Sequence, residues 1–358
     1  MKITDIKIEK VRIDLTVPFR VAFTEVRYSE NILLKVTTDE GIEGYGEAAP
    51  LPLVTSETAD SVVSILNMIK PGLLGMNPFD IEAIHAMMDS FILGNGSAKC
   101  AVDLAMYDIM GKYTGLPVYK LLGGYSNTVQ NDITIGIDSP EAMAEEARKH
   151  VTEDGFHILK IKAGLDVEKD IRTIALIRET TGPNIRLRVD ANQGYDTSTA
   201  VYAMNEFRKY GVEAVEQCLP AWDFDGSAFI KSKVSGIQVM LDESIHTPLD
   251  AARACKYNCA DILNIKLMKC GGLFRANQIN TVAESFGVTC MVGCMMETKL
   301  ATTAGVSLVA SKKNITEADC DSFLFYEDEQ TGMDGGFIRD KDQFTLLDKP
   351  GFGLSISF

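Results

Sequence analysis

The chain has 358 residues, 46% hydrophobic and 24% charged, a globular composition that excludes fibrous and disordered classes. Lys plus Arg number 35 against 50 Asp plus Glu, a net charge of −15, which repels phosphate backbones and argues against nucleic-acid partners. No apolar run nears the ~20 residues that cross a bilayer, and the opening MKITDIKIEK lacks the apolar stretch of a secretory signal, so a cytoplasmic protein with no membrane partner is expected.

Residues 2–15 alternate like a half-buried strand. Residues 31–36 and 42–47 flank the hairpin-like turn Thr38-Asp39-Glu40-Gly41. Helical patterns follow near 57–72, 79–92 and 97–114; Pro78 opens the second, and Gly115 and Pro117 stop the third. Strands followed by helices predict a separate α+β domain over 1–125. From about residue 128 the texture changes. Apolar runs at 133–137, 158–163, 185–189, 212–215, 237–241, 262–265 and 288–292, and a weaker one near Ile315, alternate with amphipathic stretches such as 140–151 and 166–180. The eight cysteines form no Cys-x-x-Cys pair and read as free thiols of a reducing compartment.

Spacing sets the architecture. Thr134 lies inside the first run, and Lys160, Asp190, Glu216, Asp242, Lys266, Gly293 and Asp319 mark the downstream ends of the rest; successive members are 24 to 30 residues apart. Eight strand-plus-helix units of that length most simply close into a barrel. The tail after Asp321 is loop- and strand-like, so the last helix is expected to be missing. The fold class is therefore α/β, a modified TIM barrel of the (β/α)7β type over 126–324. An open doubly wound sheet also alternates strand and helix, but its nucleotide-binding G-x-G-x-x-G is not found after any strand.

In such a barrel the strand ends share one mouth. Here they carry Lys160, Lys162, Asp190, Glu216, Asp242, Lys266, Asp319 and Asp321. A solvated strand terminus explains any one of these; buried charge is too costly for packing to explain the whole set. Asp190, Glu216 and Asp242 come from consecutive units, whose strands lie ~4.8 Å apart. Three hard oxygen donors favour Mg²⁺. The histidines at 85, 150, 157 and 246 lack zinc-ligand spacing, and His157 reads as a strand-entry residue. Lys160 and Lys162 share one strand face, and Lys266 ends a strand across the barrel. A lysine near a cation loses proton affinity and becomes a base. Two lysines on opposite sides of one carbon suit proton removal beside a carboxylate, with the metal holding the enediolate. The alternative is that the lysines only neutralise the acids.

Several segments together carry a family resemblance: LKIKAG (159–164), RVDANQGY (188–195), VEQCLP (215–220), LDES (241–244), NIKLMKCGG (264–272) and MVGCMMETK (291–299). The chain resembles the enolase superfamily, in its muconate-lactonizing-enzyme-like subgroup, over essentially its whole length. A lysine base beside Mg²⁺ is that superfamily's pattern. The resemblance implies Asp190, Glu216 and Asp242 as Mg²⁺ ligands, Lys162 and Lys266 as the acid/base pair, and Lys160 near the substrate carboxylate. It implies that the first domain, completed by 325–358, caps the barrel, with lid loops at 18–27 and 49–57, and that the chain forms a homo-oligomer. Asp319-Cys320-Asp321 on the eighth strand resembles dipeptide epimerases, where such a pair binds the substrate's α-ammonium. A turn-capping role is the competing reading of those two acids. Alanine–glutamate epimerases carry a lid arginine where this chain has Thr24, with Arg20 and Arg27 displaced. Without that cation a buried glutamate side chain is poorly compensated.

The implied reaction is Mg²⁺-dependent inversion of the C-terminal α-carbon of L-Ala-L-Xaa dipeptides with neutral or hydrophobic Xaa. An L-Ala-D/L-Glu epimerase and an o-succinylbenzoate synthase or muconate-type cycloisomerase are the alternatives. Thr134, Cys294, Met296 and Thr24 complete the expected substrate contacts.

Overall fold

A computed structural model of the chain describes residues 1–22, 24–327 and 331–357. The alternating N-terminal segment forms an antiparallel sheet of β1 (Ile3–Val21), β2 (Thr24–Thr38) and β3 (Glu43–Ala48), in that order. β1 runs past the expected end at residue 15. Its pairing with β2 shifts between Asp14 and Phe19 and then resumes as Phe19 opposite Val26 and Val21 opposite Thr24. Pro18 falls in the shifted stretch, where a missing N–H costs no ladder bond. The first expected lid loop, apart from residue 23, which lies outside the described residues, thus falls within the paired ends of β1 and β2. The second contains one helical turn, α1 (Pro52–Thr55).

Next come α2 (Ala59–Leu73), α3 (Ile81–Phe91), α4 (Gly96–Thr114), α5 (Val118–Leu121) and the short strand β4 (Thr128–Gln130). Thr58 and Ser61 form a capping box on α2, and Gly115, at φ 73°, ends α4 in the left-handed region that glycine adopts freely. The sheet lies directly on α4. A Cβ on Gly46 would stand 1.8 Å from the Ala101 carbonyl oxygen, so only glycine fits there.

The repeat forms eight parallel strands in sequence order. The chain runs through β5 (Ile133–Ile135), α6 (Pro140–Thr152), β6 (Ile158–Lys162), α7 (Val167–Thr181), β7 (Arg186–Asp190), α8 (Thr197–Lys209), β8 (Val212–Glu216), α9 (Phe224–Lys233), β9 (Gln238–Leu241) and α10 (Pro248–Lys256). It continues through β10 (Ile262–Lys266), α11 (Leu267–Cys270), α12 (Leu273–Ser285), β11 (Thr289–Gly293), α13 (Lys299–Ser311) and β12 (Ile315–Asp319). Ser139, Asp166, Asp196, Asp223, Thr247 and Thr298 cap α6, α7, α8, α9, α10 and α13 by accepting first-turn N–H groups, a contribution of about 1 kcal/mol each. The Asp132 amide, 3.1 Å from the Ala318 carbonyl, links the first strand to the last. A 3₁₀ turn at Ser322–Phe325 stands where an eighth helix would begin. Four short strands follow: β13 (Met333–Gly335), β14 (Phe337–Asp340), β15 (Gln343–Leu346) and β16 (Leu354–Ile356). β15 pairs with both β14 and β4.

Strand parity divides the barrel's contents. Leu159, Ile161, Leu187 and Val189 belong to the apolar layer beneath the helices. The alternate residues point inward. Part of the interior is apolar, with Ala214, Met240, Ile262 and Met291 in contact. The rest is ionic: Arg188 pairs with Asp132 at 2.9 Å and with Glu317. Two carboxylates from the N-terminal elements fix the barrel helices. Glu47 on β3 accepts from the Thr298 amide (2.8 Å) and Ala301 amide (3.0 Å) at the start of α13. Asp103 on α4 accepts from the Leu273 amide (2.5 Å) and Phe274 amide (3.2 Å) at the start of α12. Helix N-termini carry unsatisfied N–H groups and partial positive charge, so buried acids are stabilised there. The Glu47 clamp holds the segment just beyond β11, which forms one wall of the mouth.

Candidate active site

Barrel register puts the charged strand ends in one ring. Lys162 lies opposite Asp190 across the β6–β7 ladder, and Asp190 opposite Glu216 across β7–β8. Lys266 lies opposite Gly293, and Gly293 opposite Asp319, across β10–β11–β12. One carboxylate oxygen from each of Asp190, Glu216 and Asp242 lies within 4.8 Å of the others, and all three residues are buried. Each is held by a neighbour. The Asn192 amide donates to Asp190 at 2.9 Å, Asn264 Nδ2 to Glu216 at 2.7 Å, and Lys269 Nζ to Asp242 at 2.5 Å.

The lysines reach this triad from several sides. Lys162 Nζ donates to Asp190 Oδ2 at 2.7 Å, and Lys266 Nζ lies 2.7 Å from Asp242 Oδ2. Their strands, β6 and β10, are four places apart in a ring of eight. Lys160, which lines the cleft, bridges three acids: Asp319 at 2.7 Å, Glu216 at 2.8 Å and Asp190 at 3.2 Å.

Electrostatics divides the acids. Burial opposes ionisation of Asp190, but the ammoniums of Lys162 and Lys160 outweigh it and hold the carboxyl at about 2. Burial likewise acts against Asp242, and Lys266 and Lys269 drive it well below the usual carboxylate range. Glu216 is different: burial and the charge of Asp190 push it up to about 8. Burial and Asp242 push Glu243 up to about 7. Burial also weakens Lys266 as an ammonium, but Asp242 more than compensates and holds it above the ordinary lysine value. The acids beside the lysine thus oppose the loss of basicity that a bound cation would cause.

The donor set fits a hard divalent cation. Three buried carboxylates converge without histidine or thiolate. Their oxygens lie within 4.8 Å of one another, close enough to share one ion. Burial first, and the neighbouring Asp190 and Asp242 second, push Glu216 and Glu243 toward the protonated state, and a divalent cation there would favour their ionised forms. Asn192 Oδ1 and Glu243 Oε2 are buried with no hydrogen-bond partner among the described residues.

Asp319 and Asp321 close the ring beyond Lys160. Asp321 begins the 3₁₀ turn but makes no side-chain cap, which removes the capping reading. Its carboxylate accepts from the Thr134 amide at 2.7 Å and, at 3.6 Å, from the Cys294 thiol. Thr134 also donates its hydroxyl to Asp319 at 3.3 Å. Burial and the charge of Asp319 push Asp321 up to about 6. The structure adds Asp132, whose carboxylate joins Asp319 and Asp321 within 4.8 Å.

A cleft of about 650 Å³, counting its open mouth, lies over these groups. Thr24, Thr134, Cys294 and Met296 line it, as do Lys160, Lys162, Lys266, Asp319 and Asp321. Phe19, Val21 and Val26 of the hairpin and Leu51 and Val54 form an apolar wall. Met296 is pinned from behind, because its carbonyl accepts from Asn31 Nδ2 and the Tyr326 hydroxyl, both at 2.8 Å. Arg20 and Arg27 do not line the cleft; both pair with Glu25, Arg27 at 2.7 Å.

Sequence reasoning missed Asp132, Arg188, Asn192, Glu243, Asn264 and Lys269. It noted Gly293 only as a strand end. A Cβ there would lie 2.8 Å from Asn264 Oδ1 and 3.0 Å from Lys266 Cε, so glycine makes room for the lysine. Gly293→Ala is expected to lower kcat at least about tenfold by displacing Lys266. Steady-state kinetics alongside a thermal melt checks this; a wild-type kcat would show that the lysine tolerates the methyl group.

Comparison with known proteins places this arrangement. Residues 3–123 match the Mandelate racemase / muconate lactonizing enzyme, N-terminal domain, and residues 142–357 match the family described as Enolase C-terminal domain-like. The chain belongs to the enolase superfamily, in its muconate-lactonizing-enzyme-like subgroup. It is an isomerase. Among similar members of the superfamily, the L-Ala-D/L-Glu epimerase of Clostridium acetobutylicum is 41% identical over 357 residues, covering 99% of each chain. The N-succinyl-L-Arg/Lys racemase of Bacillus cereus is 37% identical, covering all of this chain and 96% of that one. The structure of the dipeptide epimerase from Enterococcus faecalis V583, complexed with Mg and the dipeptide L-Leu-L-Tyr, is 39% identical with a TM-score of 0.96, covering 99% of this chain and 100% of that one. No helix among the described residues is long and apolar enough to cross a membrane.

Proposed function

We propose that this enzyme is a Mg²⁺-dependent dipeptide epimerase that inverts the C-terminal residue's α-carbon by two-base 1,1-proton transfer. The observation that carries the reading is the placing of Lys162 and Lys266 on strands four apart in the ring, each 2.7 Å from a different member of one acidic triad. Asp190, Glu216 and Asp242 would hold the ion. When bound, it would engage the substrate's carboxylate and stabilise the negative charge that grows there as the α-proton leaves. One lysine then removes the proton from one face and the other returns a proton to the opposite face. Residues 1–125 with 325–358 act as the lid over a 126–324 barrel, and the hairpin tip excludes water from the cleft.

Asp321 supports a substrate with a free ammonium. Its carboxylate is buried at the mouth, and among the described residues its hydrogen bonds come from one amide, at 2.7 Å, and one thiol, at 3.6 Å. An isolated buried carboxylate is costly, so a cationic ligand group is favoured there. N-succinyl amino acids have no α-ammonium to offer it, and the substrates of cycloisomerases have no ammonium at all. The Ala–Glu alternative is disfavoured by the wall that would receive the second side chain: Phe19, Val21, Thr24, Val26 and Val54 bring no cation. Dipeptides of the L-Ala-L-Xaa type with neutral or hydrophobic Xaa follow. Their kcat/KM is expected to exceed that of L-Ala-L-Glu by at least about tenfold, given the cost of an unpaired buried carboxylate. A large preference for L-Ala-L-Glu would overturn the specificity reading.

The direct test is a dipeptide library incubated with enzyme and MgCl₂ in D₂O, read by mass gain and chiral analysis. Gain of one deuterium at the C-terminal α-carbon with inversion is expected. No exchange across the library would sink the epimerase reading. A reducing, cytoplasmic setting suits the eight free cysteines. Assembly as a homo-oligomer belongs to the same proposal and is checked by light scattering.

A further inference from the structure

The acids that would hold the metal and the acids that would hold the substrate ammonium are joined by one side chain. Lys160 is fully buried, and its Nζ touches Glu216 and Asp190 on one side and Asp319 on the other. Among the described residues Glu216 and Asp319 have no other ion-pair partner, and no other cation spans both groups. From this bridge we infer that Asp319 is a positioning residue for the metal cradle, setting its Mg²⁺ affinity through Lys160. The inference rests on the cradle assignment in the proposed function.

The argument is a competition for shared oxygens. An ammonium on Glu216 and Asp190 opposes a divalent cation on the same two carboxylates, because like charges repel strongly where water is excluded. Asp319 supplies a third carboxylate, at 2.7 Å the shortest of the three contacts, and draws the lysine's charge off the triad. Without the charge of Asp319, Lys160 would be neutralised by Glu216 and Asp190 alone, and Mg²⁺ would have to displace it. Asp321 carries the same formal charge but makes no ion pair with Lys160 among the described residues, so it does not share this function. The two acids of the Asp-x-Asp therefore divide the work: Asp319 serves Lys160 as well as the mouth, and Asp321 faces the ligand.

The test measures Mg²⁺ binding alone. Metal-stripped full-length protein is titrated with MgCl₂ by calorimetry, without dipeptide, for the wild type, Asp319→Asn, Asp321→Asn, Lys160→Met and the Asp319→Asn/Lys160→Met double variant. Asp319→Asn is expected to weaken Mg²⁺ at least about tenfold, and Asp321→Asn less than about threefold. Lys160→Met is expected to tighten Mg²⁺, and adding Asp319→Asn to it should change the affinity less than about threefold. Equal effects of the two aspartates would make the coupling a general field effect and overturn the inference. So would an unchanged affinity in Asp319→Asn, an undiminished Asp319 effect without the lysine, or weaker binding in Lys160→Met, which also decides the matter if Asp319→Asn fails to fold. A wild type that binds no Mg²⁺ would instead remove the cradle assignment itself. A wild type that binds it but turns over no dipeptide would remove the epimerase reading and leave this coupling standing.

Discussion

Lys162→Ala and Lys266→Ala should each lower dipeptide epimerisation on the order of 10³-fold while Mg²⁺ still binds, since a positioned acid or base typically supplies 10²- to 10⁴-fold. The two residues end strands four apart in the eight-membered ring, so a carbon above the triad has one ammonium on each side. Inversion needs one of them neutral and the other charged at the moment of transfer. Each variant keeps one of the two groups. In D₂O each should therefore still exchange the α-hydrogen of one substrate isomer, and the two variants should retain opposite isomers. Calorimetric Mg²⁺ titration separates this loss from damage to the cradle: neither lysine is among the triad's carboxylates, and removing a nearby positive charge cannot weaken a cation site electrostatically. Near-wild-type epimerisation by either variant would end the two-base assignment. Exchange retained by both variants from the same isomer would place the lysines on one face.

The barrel could be read from the chain because a period of 24 to 30 residues puts every strand end at the same height, and charged residues at that height stand out from apolar runs. The deeper ionic layer could not. Asp132 and Arg188 sit two residues before Thr134 and Asp190 on the same strand faces, at a depth where a barrel interior is ordinarily filled by branched apolar side chains. Parity alone marked them, and an apolar prior hid them. Lys269 follows Lys266 by three residues on a one-turn helix and looks like a surface lysine, yet its ammonium is buried on Asp242. The hairpin tip was obscured by Pro18, because a chemical break in the sequence need not break a ladder whose register has already shifted. The pairing of Arg20 and Arg27 with Glu25 depends on that register, so the apolar character of this cleft wall emerges only in three dimensions. The surroundings of Lys266 were hidden for a related reason: a pKa follows the sum of neighbouring charges, and the fold places the Asp242 carboxylate 2.7 Å from this lysine.

Asp321→Asn should lower kcat/KM for a dipeptide by about 10²- to 10³-fold, the range expected when one partner of a buried charge pair is removed. The effect should not be confined to KM. The ammonium lies one residue away from the reacting carbon, and binding energy from a remote group also holds that carbon between its two bases. Charge, not shape, is what the substitution removes, since asparagine keeps the size and can still accept from the Thr134 amide 2.7 Å away. Acylating the dipeptide's amino group should therefore cost the wild type heavily and the variant little, a contrast that a structural defect would not produce. The pH dependence follows from the same group. Burial and Asp319 push Asp321 up to about 6. Ammonium binding favours the ionised carboxylate, so KM should rise as the pH falls through about 6 and level off above it. Asp321→Asn should lack that limb. A variant that keeps wild-type kcat/KM, or that still discriminates against the acylated dipeptide as strongly as the wild type, would take the ammonium away from Asp321.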